Sequence, residues 1–323
     1  MITPGGGSDD TDKYLPSILK NSTEIKIPWK NGLSRARSYI SEDAKGPLPR
    51  SITEFIQPGD VIRVRRIKNQ WHLSQVPKIQ AALVSLDTHN GAILSLVGGF
   101  DFRQSKFNRA IQAKRQPGSN FKPFIYTAAL ERGYTAASLI NDAPFVQEGT
   151  THLNAWRPKN SSNHFAGPTR LRKALSGSVN LVSVRLLRAL GISKTLKTLD
   201  RFGFDPNTFP RNLTLALGSH AVSPIELVTG YASFANGGYK VEPYLIARIT
   251  DTNNQLYYSA QPPTVCDTCD EGLSSPFDNR PFLFANDPFT LTHQTIAQAQ
   301  LEHQDYQPLA RRIIDKRTHY IID

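Results

Sequence analysis

Gln116-Pro117-Gly118-Ser119-Asn120-Phe121-Lys122-Pro123-Phe124-Ile125-Tyr126-Thr127-Ala128-Ala129-Leu130-Glu131-Arg132-Gly133 opens on turn residues, continues as an apolar helical pattern and stops at a glycine. This spacing predicts a helix with Ser119 at its N-terminus and Lys122 one turn later on the same face. A serine hydroxyl is a poor nucleophile until a base takes its proton. A lysine can be that base only if burial or a nearby cation lowers its pKa, from roughly 10.4 to roughly 7, or about 4–5 kcal/mol of differential solvation. The helix N-terminus also favours negative charge developing beside the serine. The plainer reading of the same residues is a helix cap with a solvated lysine. Ser17-Ile18-Leu19-Lys20 repeats the Ser-x-x-Lys pattern with nothing around it that suggests chemistry.

A second motif, Ser178-Val179-Asn180, lies about sixty residues downstream, between helical stretches at Arg170–Leu175 and Leu181–Leu190. Ser-x-x-Lys with Ser-x-Asn is the pairing used by penicillin-binding proteins and class A β-lactamases. The surrounding text extends the match: Trp156-Arg157-Pro158-Lys159-Asn160, Ala166-Gly167-Pro168-Thr169-Arg170, Leu215-Ala216-Leu217-Gly218-Ser219 and Tyr231-Ala232-Ser233-Phe234-Ala235-Asn236-Gly237-Gly238. From Ser22 to Asp323 the chain resembles the bifunctional class A penicillin-binding proteins of the 1A type from Gram-negative bacteria. The resemblance implies an α+β chain: a small OB-like β domain at 22–78 after a flexible segment 1–21, then a transpeptidase domain at 79–323 of the penicillin-binding/serine β-lactamase type, an antiparallel sheet with helices.

Carried over residue by residue, the resemblance makes Ser119 the nucleophile and Lys122 the base that activates it. Ser178 relays a proton to the leaving D-alanine nitrogen, and Asn180 holds the lysine and binds the substrate amide. Ser119 would also bind substrate, its backbone N–H serving as an oxyanion donor. Ser178 as a helix cap and Asn180 as a turn residue are the plain alternatives. The implied partners are peptidoglycan stem peptides ending in D-Ala-D-Ala, β-lactams, and an outer-membrane lipoprotein activator acting through the β domain. The implied location is the periplasmic face of the inner membrane, and no cofactor or metal is called for. A β-lactamase would need a carboxylate to activate water, and Leu181 to Ile225 contains no glutamate.

The family also carries a membrane anchor, a glycosyltransferase domain and a Lys-Thr-Gly or Lys-Ser-Gly triplet. Residues 1–323 contain no such triplet and no run of about 18 apolar residues. Leu309, Ile313, Ile314, Tyr320 and Ile321 suggest a helical face that runs to Asp323 without a glycine stop. The expectation is therefore an internal piece of a larger protein, or the product of a broken reading frame, incomplete at the C-terminus and impaired in activity. The alternative is a non-catalytic binding or scaffold remnant.

Charge is uneven along the chain. The formal net charge is +11, and residues 81–190 hold 14 Lys/Arg against 5 Asp/Glu. A basic field attracts acidic ligands. No nucleic-acid reader motif accompanies it, so no nucleic-acid partner is expected. The carboxylates of a stem peptide fit the charge, and so does a simple solvated surface. The two cysteines, Cys266 and Cys269, cannot supply four zinc ligands and do not sit at a thioredoxin-type turn. Free thiols, a metal site and a local disulfide remain open for them; the periplasmic location implied by the resemblance points to a Cys266–Cys269 disulfide.

Other local signals are turn and cap chemistry. The sequence predicts strands at Ser22–Ile27, Ala36–Ile40, Val61–Arg65 and Gln70–Val76, and a hairpin around Asn90-Gly91 whose apolar strands suggest cover on both faces. It also predicts a hairpin around residues 252–254. Ser223-Pro224-Ile225-Glu226 reads as a capping box with proline at the first helical position, for a helix ending at Asn236-Gly237-Gly238.

Overall fold

In the computed structural model the described residues are 14–41, 43–77, 79–147, 155–266 and 308–322. The chain divides into two compact units, Met1–Gln80 and Ala81–Asp323.

The first unit is built from two antiparallel hairpins. β1 (Tyr14–Ile18) pairs with β2 (Glu24–Pro28), Leu15 opposite Ile27 and Ser17 opposite Ile25. β3 (Arg63–Ile67) pairs with β4 (Gln70–Ser74). The β3–β4 link is Lys68-Asn69 with both φ angles positive, 45° and 65°. That backbone matches the right-handed twist of the strands it joins. Alternation sends Leu15, Ile25 and Ile27 inward to a small core with Leu33, Ile52 and Ile56. Buried Asn31 clips a loop to β4: its Nδ2 donates to the Trp71 carbonyl at 3.0 Å, and its own carbonyl accepts from the Leu73 N–H at 2.9 Å.

Two expectations are corrected here. β1 lies inside the segment 1–21 expected to be flexible. Pro16 hides it in the sequence, yet a two-stranded edge tolerates the missing N–H, and alternate burial of Leu15 and Ser17 holds the strand. The strand expected at Ala36–Ile40 is absent. A 3-10 turn at Leu33–Arg35 leads into irregular chain bearing one bridge, Tyr39 to Lys45, with Tyr39 and Ile40 exposed. β-branched and aromatic residues made the stretch look strand-like, but nothing buries them.

The second unit has a helical core with hairpins around it. β5 (Leu83–Leu86) and β6 (Ile93–Val97) form the hairpin expected around Asn90-Gly91. Its loop is longer than a two-residue turn, with the Gly91 N–H donating to the Asp87 carbonyl at 2.8 Å. Gly91 is required there: its φ is +81°, and a Cβ would lie 2.2 Å from the Glu242 carbonyl oxygen. Both faces are not covered, since Leu83, Leu94 and Val97 are exposed. An apolar run shows what a strand can bury, not what it meets.

A 3-10 turn, Gly118–Phe121, leads into α1 (Lys122–Leu130). α1 ends where its glycine predicted. Gly133, at φ +86°, donates to the Leu130 carbonyl, and the Tyr134 N–H donates to the Ala129 carbonyl. β7 (Leu139–Asp142) pairs with β8 (Gly167–Arg170), which runs directly into α2 (Leu171–Ser176). α3 (Asn180–Leu190) and α4 (Ile192–Arg201) follow, separated by Gly191. α4 was not anticipated, because Leu196 and Leu199 are thin apolar markers in a polar run. α5 (Pro224–Ala235) carries the expected capping box. The Ser223 Oγ accepts from the Glu226 N–H, and the Glu226 carboxylate accepts from the Ser223 N–H at 2.6 Å. β9 (Arg248–Thr250) and β10 (Leu256–Ser259) form the expected later hairpin.

The last described helix, α6 (Lys316–Ile322), starts later than the apolar pattern suggested. Ile313 and Ile314 are buried ahead of it, while Leu309 and Tyr320 are exposed. Among the described residues no helix is long and apolar enough to cross a membrane.

α1 is buried along nearly its whole length. Phe121 and Phe124 meet Phe202, Phe204, Phe209 and Phe234 edge-on or tilted, with centroids 5.0–5.6 Å apart. Each such ring contributes about 1.5–3 kcal/mol of burial. This packing fixes α1, and with it the two residues on either side of Phe121.

Candidate active site

Ser119 sits in the 3-10 turn ahead of α1 and is exposed, whereas Lys122 at the first α-helical position is 1% exposed. The turn is pinned from two sides. Gly118 donates to the Gly218 carbonyl at 3.2 Å, and the two glycines approach so closely that a Cβ on Gly218 would lie 2.2 Å from the Gly118 carbonyl oxygen. The Tyr231 hydroxyl on α5 donates to the Asn120 carbonyl at 2.7 Å. Two amides of this turn are already committed, Gly118 to the Gly218 carbonyl and Asn120 to the Pro117 carbonyl, while Ser119 between them lies exposed.

The Lys122 side chain runs inward to Ser178 and Asn180. Its Nζ donates to the Ser178 carbonyl at 2.6 Å, to the Ser178 Oγ at 2.9 Å and to the Asn180 Oδ1 at 2.8 Å. All three partners are uncharged. A buried lysine kept for stability is normally paired with a carboxylate; here burial acts without that offset and lowers the pKa to about 8. At pH 7.5 such an amine is neutral in about a quarter of molecules, against about one in a thousand at its ordinary value. The value falls about one unit short of the roughly 7 that ideal base chemistry asks for. When neutral, the amine keeps two N–H donors for the carbonyl and amide oxygens and offers its lone pair to a hydroxyl.

Ser178 does not cap α3, the helix that follows, but closes α2, the helix before it. It follows α2 in the left-handed conformation, φ 50°, where glycine is usual. The Ser178 N–H donates to the Leu175 carbonyl and the Val179 N–H to the Ala174 carbonyl, which closes α2 in a Schellman motif. A non-glycine residue there costs on the order of 1–3 kcal/mol. In return, the conformation presents both its carbonyl and its hydroxyl to Lys122. Asn180 is the first residue of α3 rather than a turn residue. Its Oδ1 takes Lys122, and its Nδ2 donates to the Lys159 carbonyl at 2.9 Å, leaving one N–H uncommitted among the described residues.

The four residues singled out in the sequence thus divide. Lys122, Ser178 and Asn180 form one hydrogen-bonded cluster, and Ser119 lies at the surface one turn ahead of Lys122. No hydrogen bond of the Ser119 hydroxyl occurs among the described residues. Sequence reading missed Asn160, Gly218 and Tyr231 as parts of this site. All three stood in the quoted text, but only folding shows what their polar groups and bare backbone meet. It also missed His220, buried against Phe121 with a ring-centroid separation of 4.1 Å. Among the described residues no group of three or more His, Cys, Asp or Glu is placed to hold a metal ion. Of the expected cysteine pair, Cys266 is described and Cys269 lies outside the described residues.

The sequence is similar to known proteins along most of its length. Residues 81–268 match the penicillin-binding protein transpeptidase domain family, and residues 11–79 match the penicillin-binding protein OB-like domain family. Penicillin-binding protein 1A of Pseudomonas aeruginosa is 45% identical over 315 residues, covering 94% of this chain and 38% of its own length. Penicillin-binding protein 1A of Escherichia coli is 46% identical over 269 residues, covering 83% of this chain and 32% of its own. The chain therefore spans about a third of the length of these relatives. A crystal structure of penicillin-binding protein 1A from Haemophilus influenzae superposes with a TM-score of 0.70 at 30% identity, over 97% of this chain and 44% of that one.

Proposed function

Because the chain belongs to the penicillin-binding protein transpeptidase family, we propose that it carries the acyl-transfer centre of a peptidoglycan D,D-transpeptidase, with Ser119 as nucleophile. The observation that carries the reading is Lys122: a buried amine held by three neutral oxygens, its pKa lowered to about 8, one turn from an exposed serine.

In this reading the Ser119 Oγ attacks the carbonyl carbon of the penultimate D-alanine of a stem peptide, and its proton passes to the neutral Lys122 amine. The tetrahedral oxyanion meets the Ser119 N–H, one of the donors such sites supply. As the C–N bond breaks, the Ser178 hydroxyl gives a proton to the leaving D-alanine nitrogen and is reprotonated from Lys122. The remaining N–H of Asn180 binds the substrate amide. An amine of a second stem peptide then attacks the ester carbonyl and loses a proton to Lys122. Ser119 leaves as the hydroxyl and the cross-link remains. A β-lactam enters the same path and stops at the ester. The periplasmic face of the inner membrane is the compartment this chemistry requires, and an outer-membrane lipoprotein activator is the partner this reading assigns to the first unit.

The test is a fluorescent penicillin, applied to the chain expressed from its own gene with its natural flanking sequence. Label on Ser119, abolished by Ser119→Ala, is the expected result. Label on Ser17 or Ser178 overturns the assignment. A folded protein that takes no label moves the chain to a non-catalytic binding or scaffold role.

A further inference from the structure

Asn160 lies in the loop between β7 and β8, outside both catalytic motifs, and is 6% exposed. Every hydrogen-bonding capacity of its side chain is used. The Oδ1 accepts from the backbone N–H of Asn180 at 3.1 Å and of Leu181 at 3.2 Å. The Nδ2 donates to the Asp142 Oδ1 at 2.7 Å and to the His164 carbonyl at 2.9 Å. The other Asp142 oxygen accepts from the Ala166 N–H at 2.9 Å, and Asp142 is 2% exposed. Two N–H donors on one side and a carboxylate with a carbonyl on the other leave a single orientation for the amide.

α3 has no side-chain cap from Val179, the residue before it. Its first orphan amides are satisfied instead by a residue twenty positions back in the chain. The neighbouring Lys159 carbonyl accepts from the Asn180 Nδ2. Residues 159 and 160 thus grip Asn180 by backbone and side chain together, and Asn180 in turn holds Lys122. We propose that Asn160, oriented by Asp142, is a positioning residue that sets Asn180 against Lys122 and thereby the state of the base.

The inference rests on the acyl-transfer reading for its purpose but not for its measurement. Asn160→Ala frees the start of α3, admits water and loosens the Asn180 Oδ1 from Lys122. Lys122 then returns toward the ordinary lysine range. The charged or titratable side chains bordering this cluster are Asp142, tied up by Asn160 and Ala166; Tyr126, one turn along α1, pushed up to about 12 by burial and so protonated throughout; and the exposed Lys159 and His164, which meet Asn180 and Asn160 through their backbone carbonyls.

The first readout is the titration of Lys122 itself. The folded chain is modified with an amine-reactive acylating reagent at a series of pH values, and the modified lysine is mapped by mass spectrometry. The expected result is an upward shift of the Lys122 midpoint in Asn160→Ala and none in Leu199→Ala, a core variant on α4 outside this hydrogen-bonded cluster. The second readout is penicillin acylation of Ser119, with a roughly 10- to 100-fold loss and the same shift in its pH profile.

Rescue separates positioning from mere stability. Asn160→Asp places two carboxylates together and should disable the site. Asn160→Asp combined with Asp142→Asn restores a donor facing an acceptor, keeps the α3 amides satisfied, and should recover most of the acylation rate. An unchanged Lys122 midpoint in folded Asn160→Ala overturns the proposal, as does a double variant no better than Asn160→Asp alone. If the parent chain takes no label at Ser119, the acyl-transfer reading fails while the Lys122 titration still decides the positioning role.

Discussion

Lys122 and His220 are both buried basic side chains of the second unit, and both border Phe121. Lys122 follows it in the chain; His220 packs its ring against Phe121 at 4.1 Å and against Phe209 at 4.2 Å. Burial lowers the pKa of each, Lys122 to about 8 and His220 to about 4. The surroundings differ. Lys122 is ringed by two oxygens that accept its N–H groups in either protonation state and by a hydroxyl that accepts from the ammonium or donates to the neutral amine, whereas neither ring nitrogen of His220 has a hydrogen-bond partner among the described residues. A shifted pKa alone therefore does not mark a catalytic group. A polar ring lets a base change its proton without rearrangement, while an aromatic pocket makes the charged form costly and keeps the group as packing.

The largest expected effect comes from the polar side of this comparison. Lys122→Met keeps the volume and removes the base. Penicillin labelling at Ser119 should fall by roughly 10²–10⁴ while thermal stability changes much less, because removing the desolvation cost of a buried ammonium is set against three oxygens left without their donor. In the parent chain the labelling rate should climb with pH through about 8 and level off above it, since only the neutral amine accepts the serine proton. A flat profile from pH 6.5 to 9 would break the assignment of Lys122 as base.

His220 should show itself in stability instead. Its folded pKa of about 4 lies below the ordinary 6.5, so the unfolded chain binds the proton more readily. The native state is then unpenalised above pH 6.5, loses stability as the pH falls from 6.5 to 4, and loses no more from this group below that. The full loss is about 3 kcal/mol. Urea denaturation at pH 7 and pH 4.5 measures it, and His220→Leu should remove most of the slope without altering the labelling profile. If the slope persists in that variant, another group carries it.

Two smaller changes probe the turn that holds Ser119. Gly218→Ala forces a Cβ against Gly118 and puts a side chain at φ +63°; it should cost about 1–3 kcal/mol in stability and slow labelling, because the Gly118 backbone must move. Tyr231→Phe removes one hydroxyl from the Asn120 carbonyl and should cost about 1 kcal/mol, with a modest fall in labelling. An equal labelling loss in Tyr231→Phe and Lys122→Met would mean that placement of the turn matters as much as the base.

Much of the second unit was legible because its signals are local. The Ser223 capping box, the glycine stop after α1 and the turn at residues 252–254 each depend on residues a few positions apart, so backbone chemistry alone settles them. The first unit was less legible. Pro16 concealed β1, and the apolar residues of Ala36–Ile40 promised a strand that no neighbour supports. A strand exists only if something pairs with it and buries a face, and a linear reading does not contain that information.

The same division runs through the candidate site. Ser119, Lys122, Ser178 and Asn180 were singled out by the paired motifs, and the chemistry expected of them came from the family resemblance that those motifs and the surrounding text carry. What spacing could not supply was the environment: that Lys122 loses its water, that Ser178 takes a left-handed backbone to offer it two oxygens, and that Asn160 caps α3 from across the fold. Desolvation and long-range hydrogen bonds act between segments far apart in the chain, about sixty residues for Lys122 and Asn180. The identity of the groups proposed to react was therefore already legible in the sequence, and the environment that lowers the pKa of Lys122 was decided only when packing brought those segments together.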